Sequence, residues 1–254
     1  MMSGRRIFAV ARLNALLQTQ EPSVPVLMAV IPIVLTPFMI PGNRMTLVEE
    51  GYLHATGAEQ AVPGFAVLFS FFSVQLIVQM FFDEQQWGTW NRMRASAASM
   101  SEIILGKVAV AFIMQFAQMV VVLAFGMLLD GYRPDGSMLA LIIVATVFAL
   151  MVAMFGVAIA MWCGSERTAL SAAMLGGVLM ACLGGSLTAV STFPSWARPL
   201  ARFSPAYWAV DAVKRIGLDR AGVADVLPQI GVIGGFGALF VVASIIGFYR
   251  KSRS

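Results

Sequence analysis

Two cysteines and a single histidine are all that 254 residues provide of the side chains that usually hold metals or disulfides. Cys163 and Cys182 sit at the end of one apolar block and inside another, so both read as packing residues, and neither a disulfide framework nor a metal centre is supported. His54, the lone histidine, falls in a polar stretch between apolar blocks, which removes a serine–histidine pair or a histidine metal site buried in a membrane. Charge is scarce too: 12% of residues are charged, against about 25% in ordinary soluble domains. A glycine-rich loop closing in Gly-Lys-Ser/Thr is also missing: Gly106-Lys107 is followed by Val108 and preceded by Ser101 where the motif needs a glycine. The chain therefore carries no phosphate cradle and no catalytic site of its own.

What is abundant is apolar. Hydrophobic residues make up 59% of the chain, gathered in blocks of the ~20 residues that carry a helix across a hydrocarbon layer. Membrane barrel strands would alternate apolar and polar side chains over ~10 residues, and no such alternation occurs. The expected fold is an all-α membrane protein, one transmembrane domain over residues 1–254. The excess of Lys and Arg gives a net charge of +4; in such a chain it reads as membrane anchoring, with no nucleic-acid partner expected.

Residues 3–20 form a modestly amphipathic stretch with Val10 and Leu17 on one side and Arg5 and Arg12 on the other, expected to lie along the inner membrane surface. No small-residue cleavage site follows the first apolar block, so a removed signal peptide is not expected. Spans are expected at 24–41, 63–82, 102–129, 138–162, 169–187 and 227–249. Pro32 and Pro37 should bend the first, and a polar loop holding Glu49, Glu50, His54 and Glu59 should follow it. Ser99 and Glu102 have capping-box spacing at the start of the third span. The long polar stretches are 83–101 and 188–226, and Phe193, Trp196, Phe203, Tyr207 and Trp208 in the second should fold it back into a membrane interface.

Six crossings put both termini on one side, and the basic residues lean weakly towards a cytoplasmic placement of that side. Ten of them, among them Arg5, Arg92 and Lys251, fall on the terminal side, and seven, among them Arg44, Arg198 and Arg220, on the other. Pumps driven by ion gradients generally place Asp, Glu or His in mid-span, and spans two to six have none there. Gln75, Gln79, Gln115 and Gln118 are the largest polar side chains in the spans, suited to interhelical contact or to lining a path. Energy is then expected from outside the chain.

Residues 83–107 read DEQQWGTWNRMRASAASMSEIILGK. This run resembles the cytoplasmic segment between spans two and three of the ABC type-2 transporter permease family, with matches at Glu84, Gly88, Thr89, Arg92, Ser96, Glu102, Gly106 and Lys107. The run FPSWARPLARFSPAYWAVDAVKR, residues 193–215, is similar to that family's external segment between spans five and six, through Pro194, Trp196, Pro205, Tyr207 and Arg215. One departure is that Gln86 and Trp87 stand where a second acidic residue is usual.

The resemblance implies the membrane subunit of a bacterial inner-membrane exporter, with ATP and Mg held by a separate ATPase subunit and no cofactor bound to this chain directly. It further implies a second permease copy, as a homodimer in a lipid bilayer, both termini cytoplasmic. Glu84, Trp87, Gly88, Thr89, Trp90, Arg92 and Arg94 would form the coupling helix against the ATPase, with residues 3–20 a second contact. Aromatic and arginine side chains are apt for such an interface. Gly177, Ala181 and Gly185 recur every four residues in span five, as do Gly231 and Gly235 in span six, and permit close helix approach. Span five is the dimer candidate, with packing inside one subunit equally economical. Neutral spans point to a hydrophobic or amphipathic cargo such as a drug, antibiotic, peptide or lipid-like molecule. Export of a polysaccharide or glycolipid, or a non-transporting scaffold or immunity protein, are the alternatives.

Overall fold

The structure, a computed structural model, describes residues 4–20, 23–86 and 100–253. Among these, the regular secondary structure is helical throughout. The helices are α1 (Gly4–Gln20), α2 (Ser23–Glu49), α3 (Ala58–Phe72), α4 (Val74–Gln86) and α5 (Met100–Leu129). They continue with α6 (Met138–Trp162), α7 (Glu166–Leu183), the four-residue α8 (Arg198–Ala201), α9 (Pro205–Leu218) and α10 (Leu227–Arg253). Six segments are long and apolar enough to cross a membrane: α2, α3 with α4, α5, α6, α7 and α10. The chain is a multi-pass membrane protein. Residues Gly4 and Arg253 lie at one end of the bundle, called here the near end, with the last turn of α4, the first turn of α5 and the α6–α7 connection; the α2–α3 and α5–α6 loops and residues 184–226 lie at the far end.

The α3–α4 crossing is the central post. It is the most enclosed of the crossings, with 89% of its most apolar window buried against 11% for α2 and for α10. Small residues let neighbours approach it. Gly126 of α5 faces Val62, Gly156 of α6 faces Ile77, and Gly177 of α7 lies against Phe71. The Phe71 ring meets Phe148 at 5.8 Å and Phe155 at 5.9 Å, both edge-on. Helix α10 then packs along α6, and α1 along α5.

Several boundaries differ from the sequence expectation. Helix α2 does not stop at residue 41: it runs unbroken through Pro32, Pro37 and Pro41 to Glu49. Its 27 residues reach ~40 Å, beyond a hydrocarbon layer of ~30 Å. Polar side chains in it turn back on carbonyls four residues earlier, Thr36 onto Pro32 at 2.6 Å, Asn43 onto Met39 at 3.0 Å and Thr46 onto Gly42 at 3.3 Å, so they need no loop. Helix α3 begins at Ala58 rather than 63, and Glu59 belongs to its first turn, where its carboxylate accepts from Thr56 N and Gly57 N. Helix α7 begins at Glu166, capped by Ser165, and ends at Leu183 rather than 187, because Gly184 and Gly185 turn the chain, the latter at φ +77°. Span four holds its expected limits, with Ser137 capping it through Ala140 N. Ser99, the expected cap of α5, lies outside the described residues.

Candidate functional site

Two polar regions flank the apolar bundle, one at each end. At the near end, α1 lies along the first turns of α5. Its inward stripe is Ile7, Val10, Asn14 and Leu17, a helical spacing that leaves Arg5 and Arg12 exposed. Asn14 is buried and satisfies itself on the Val10 carbonyl at 3.0 Å. A Cβ on Gly106 of α5 would come within 2.8 Å of Val10 Cγ1 and 3.0 Å of the Ile7 carbonyl oxygen, so α1 approaches α5 closely at a position without a side chain. Two charged residues of α5 are enclosed beside this contact. Glu102, 1% exposed, faces Arg6 of α1 at 3.9 Å. Lys107, fully buried, donates from Nζ to the Met80 carbonyl at 2.7 Å and stands 4.6 Å from the centre of the Phe81 ring.

The start of α5 thus holds α1 through Gly106 and Glu102, and α4 through Lys107. Of the expected coupling residues, Glu84 belongs to α4 by its backbone, while Trp87, Gly88, Thr89, Trp90, Arg92 and Arg94 lie outside the described residues. Lys107 entered the sequence reading in the failed phosphate-loop match and again through the resemblance. Its burial was not visible there, because a lysine one turn inside a span also reads as an interfacial anchor.

At mid-span, α3 passes into α4 at Ser73. The Ser73 hydroxyl bonds Phe69 O and Gln118 Oε1, each at 2.7 Å, so Gln118 does bridge α5 to the central crossing. Gln115, one turn earlier and 1% exposed, has no protein partner for either amide atom. Gln75 and Gln79 are half-buried on α4.

At the far end, residues 184–226 pack against the bundle rather than hanging from it. Helix α9 is capped by Ser204 with Pro205 in its first turn, and Ala206, Ala209, Val210, Ala212, Val213 and Ile216 form an apolar face buried on α3, α6, α7 and α10. Its outward face carries Tyr207, Trp208, Asp211, Lys214 and Arg215. The Tyr207 and Trp208 rings meet edge-on at 5.3 Å, and Trp208 Nε1 donates to Arg202 O at 2.9 Å. Pro194 and Trp196 are exposed on the short helical turns before it.

The α2–α3 loop is clasped to this segment: Lys214 pairs with Glu50, Ser191 donates to Glu50, and Tyr52 OH donates to Asp219 at 3.0 Å. Burial, and then the Asp219 hydrogen bond, raise the Tyr52 pKa. Between the clasp and the Gly184–Gly185 turn is a cleft of about 230 Å³.

The row Gly177, Ala181, Gly185 does not present a face for a second copy. Gly177 and Ala181 are buried within the chain, where a Cβ on Gly177 would stand 3.1 Å from Phe71 O, and Gly185 has left the helix. The inward arrangement follows from α7 lying against the central crossing. Gly231 and Gly235 of α10 have open space around them instead.

Six apolar crossings, a helix bound to the start of the third, and a polar run between the second and third compose one pattern. A family model described as ABC-2 family transporter protein matches residues 9–246, nearly the whole chain. The chain belongs to that family. The linearmycin resistance permease protein LnrN of Bacillus subtilis (strain 168) is 25% identical over 205 residues, covering 80% of this chain and 53% of that protein. This ABC-2 chain therefore spans about half the length of that curated relative.

Proposed function

We propose that this ABC-2 chain is the permease subunit of an exporter whose work is done by a separate ATPase. The carrying observation is the junction of α1, α4 and α5 at the near end, where Lys107 ties α5 to α4 and Gly106 admits α1. A load applied to residues 87–99 would reach both the central crossing and the third span, because these helices share buried polar and steric contacts. In this reading the protein sits in a bacterial inner membrane with the near end towards the cytoplasm, and two copies face one another across the path.

The cargo is hydrophobic or amphipathic. The name of LnrN connects that protein with linearmycin resistance, and we extend to this chain the general idea of removing a toxic amphiphile. No cofactor is expected on this chain; ATP and Mg would be held by the partner.

The test is transport in vesicles reconstituted with the cognate ATPase. Trp87→Ala or Gly88→Pro should abolish ATP-dependent uptake while membrane insertion and nucleotide hydrolysis by the partner persist. Uphill movement by the purified chain without a nucleotide-consuming partner would overturn the proposal.

A further inference from the structure

The far-end cleft is used by nothing in the coupling argument, and its chemistry is specific. Its floor is backbone: Gln60 of α3, 2% exposed, donates Nε2 to Gly185 O at 2.9 Å, and Gly184 and Gly185 form the turn above it. Side chains are excluded from that turn, since a Cβ on Gly184 would be 2.6 Å from Tyr207 N. Two cations and two anions line the walls, Arg198 and Lys214 against Glu50 and Asp211.

These four charges are unequal in what they can still bind. Glu50 and Lys214 neutralise one another. The Arg198 guanidinium is held by Nε on Phe193 O at 2.9 Å and by Nη2 on Ser191 O at 2.7 Å. Only two of its five N–H donors are needed for those bonds. Asp211 receives Gln229 Nε2 at 2.8 Å and Arg215 Nε at 3.5 Å, both on Oδ2, which leaves Oδ1 for another donor. A fixed guanidinium and a carboxylate with spare capacity thus share a cleft whose charges balance.

A lone anion would leave Oδ1 of Asp211 without a donor, and a lone cation would leave the spare N–H groups of Arg198 without an acceptor. A drug-sized ligand is also a poor fit, because such pockets run to ~300–1,000 Å³ and this cleft holds about 230 Å³. In the same short segment as Arg198, Trp196 and Phe203 are 72% and 75% exposed, with the exposed Leu200 between them in sequence, apolar side chains suited to alkyl chains. Aromatic residues at the ends of spans mark the headgroup level of a bilayer.

We propose that this cleft binds the zwitterionic head of an amphiphile, its phosphate or carboxylate on Arg198 and its primary ammonium on Asp211, with the alkyl chains along Trp196, Leu200 and Phe203. A primary ammonium brings three N–H donors to the carboxylate, whereas a trimethylated one brings none. The head can belong to a bilayer phospholipid or to an amphipathic cargo. The proposal does not depend on the transport reading, since binding needs neither nucleotide nor a partner.

The full chain, purified in detergent, would be challenged with phosphatidylethanolamine, phosphatidylcholine and phosphatidylglycerol of matched chains, and retained lipid counted by native mass spectrometry. Phosphatidylethanolamine should be retained about tenfold over the other two, the scale of one charge-assisted hydrogen bond. Asp211→Asn, which keeps the shape and an acceptor for Gln229, should erase that preference. Arg198→Gln should reduce retention of all three lipids, since each bears the phosphate, and Arg198→Lys should restore part of it.

A second arm uses millimolar phosphoethanolamine without chains. Thermal protection of the wild type by this compound, lost in Asp211→Asn, with no lipid preference, would assign the head to cargo and uphold the shared chemistry. Equal retention of all three lipids with no protection by phosphoethanolamine would overturn the proposal, as would a lipid preference that survives Asp211→Asn.

Discussion

Lys107 is wholly enclosed one to two turns inside α5, and its ammonium is spent on the Met80 carbonyl of α4, 2.7 Å away. A charge in such a place is tolerated only when it is bonded. It holds the last turns of α4 to the first turns of α5 across the segment that joins them. Lys107→Met keeps the length of the side chain and removes the donor, so ~1.5–3 kcal/mol of stabilisation should go. Hydrogen exchange should rise at the amides of residues 80–86 and stay unchanged in α6 and α10. Uniform protection across all helices in the variant would show that the bond does not fasten α4.

The contact of α1 with α5 has a steric test. Gly106→Val places carbon where Val10 Cγ1 already lies within 2.8 Å of a Cβ position, and overpacking of this kind costs ~1–3 kcal/mol. The thermal midpoint in detergent should fall. Val10→Ala added to Gly106→Ala should recover only part of the loss, because it removes the Cγ1 contact while the Cβ of residue 10, 2.9 Å from the new methyl position, and the Ile7 carbonyl oxygen at 3.0 Å remain. A double variant no better than Gly106→Ala alone would mean that the Ile7 carbonyl, not Val10, limits the approach.

Six crossings were legible because apolar length is a property of composition, and Met138–Trp162 was legible to the residue because Ser137 caps it and Asp130–Gly136 are turn formers. The end of α2 was not. The expected span stopped at residue 41 with a polar loop after it, yet Asn43 and Thr46 bond to their own helix, which runs two turns further. Glu59 read as a loop residue because its role is to cap Thr56 and Gly57 in three dimensions. The residues expected to couple to an ATPase were legible only as a resemblance, and most of them lie outside the described residues. The far-end cleft joins residues 50, 60, 198 and 211, a separation in sequence that no local pattern announces.

Glycines of similar appearance in the sequence have opposite roles. On Gly64 of α3 a Cβ would lie 2.0 Å from the Ser186 carbonyl oxygen, while around Gly231 of α10 nothing lies within 4 Å. Backbone cannot rotate aside as a side chain does. Gly64→Ala should therefore separate α3 from the 184–191 turn, with the folded peak on size exclusion largely lost. Gly231→Ala should be neutral or gain up to ~1 kcal/mol from helix propensity. A well-folded Gly64→Ala with an unchanged midpoint would refute the close packing of α3 on that turn.

Tyr132 sits in the α5–α6 loop, 1% exposed, with no hydrogen-bond partner for its hydroxyl. Burial first, and the Glu59 charge second, push its pKa up from the ordinary 10.0. A tyrosine whose folded pKa is raised contributes fully below the unfolded value, and that contribution is lost as pH climbs from there towards the folded value. Above pH ~10 the wild type should thus lose up to ~1.4 kcal/mol per pH unit through this group. Tyr132→Phe should flatten that loss, leaving the smaller slope that Tyr52, raised in the same direction, imposes. At pH 7 the same variant removes a buried hydroxyl that bonds to nothing, so its stability should equal or slightly exceed that of the wild type. Denaturation midpoints at pH 7 and across pH 9–11 measure both effects, and a Tyr132→Phe protein weaker at pH 7 with an unaltered alkaline slope would show that the hydroxyl is bonded after all.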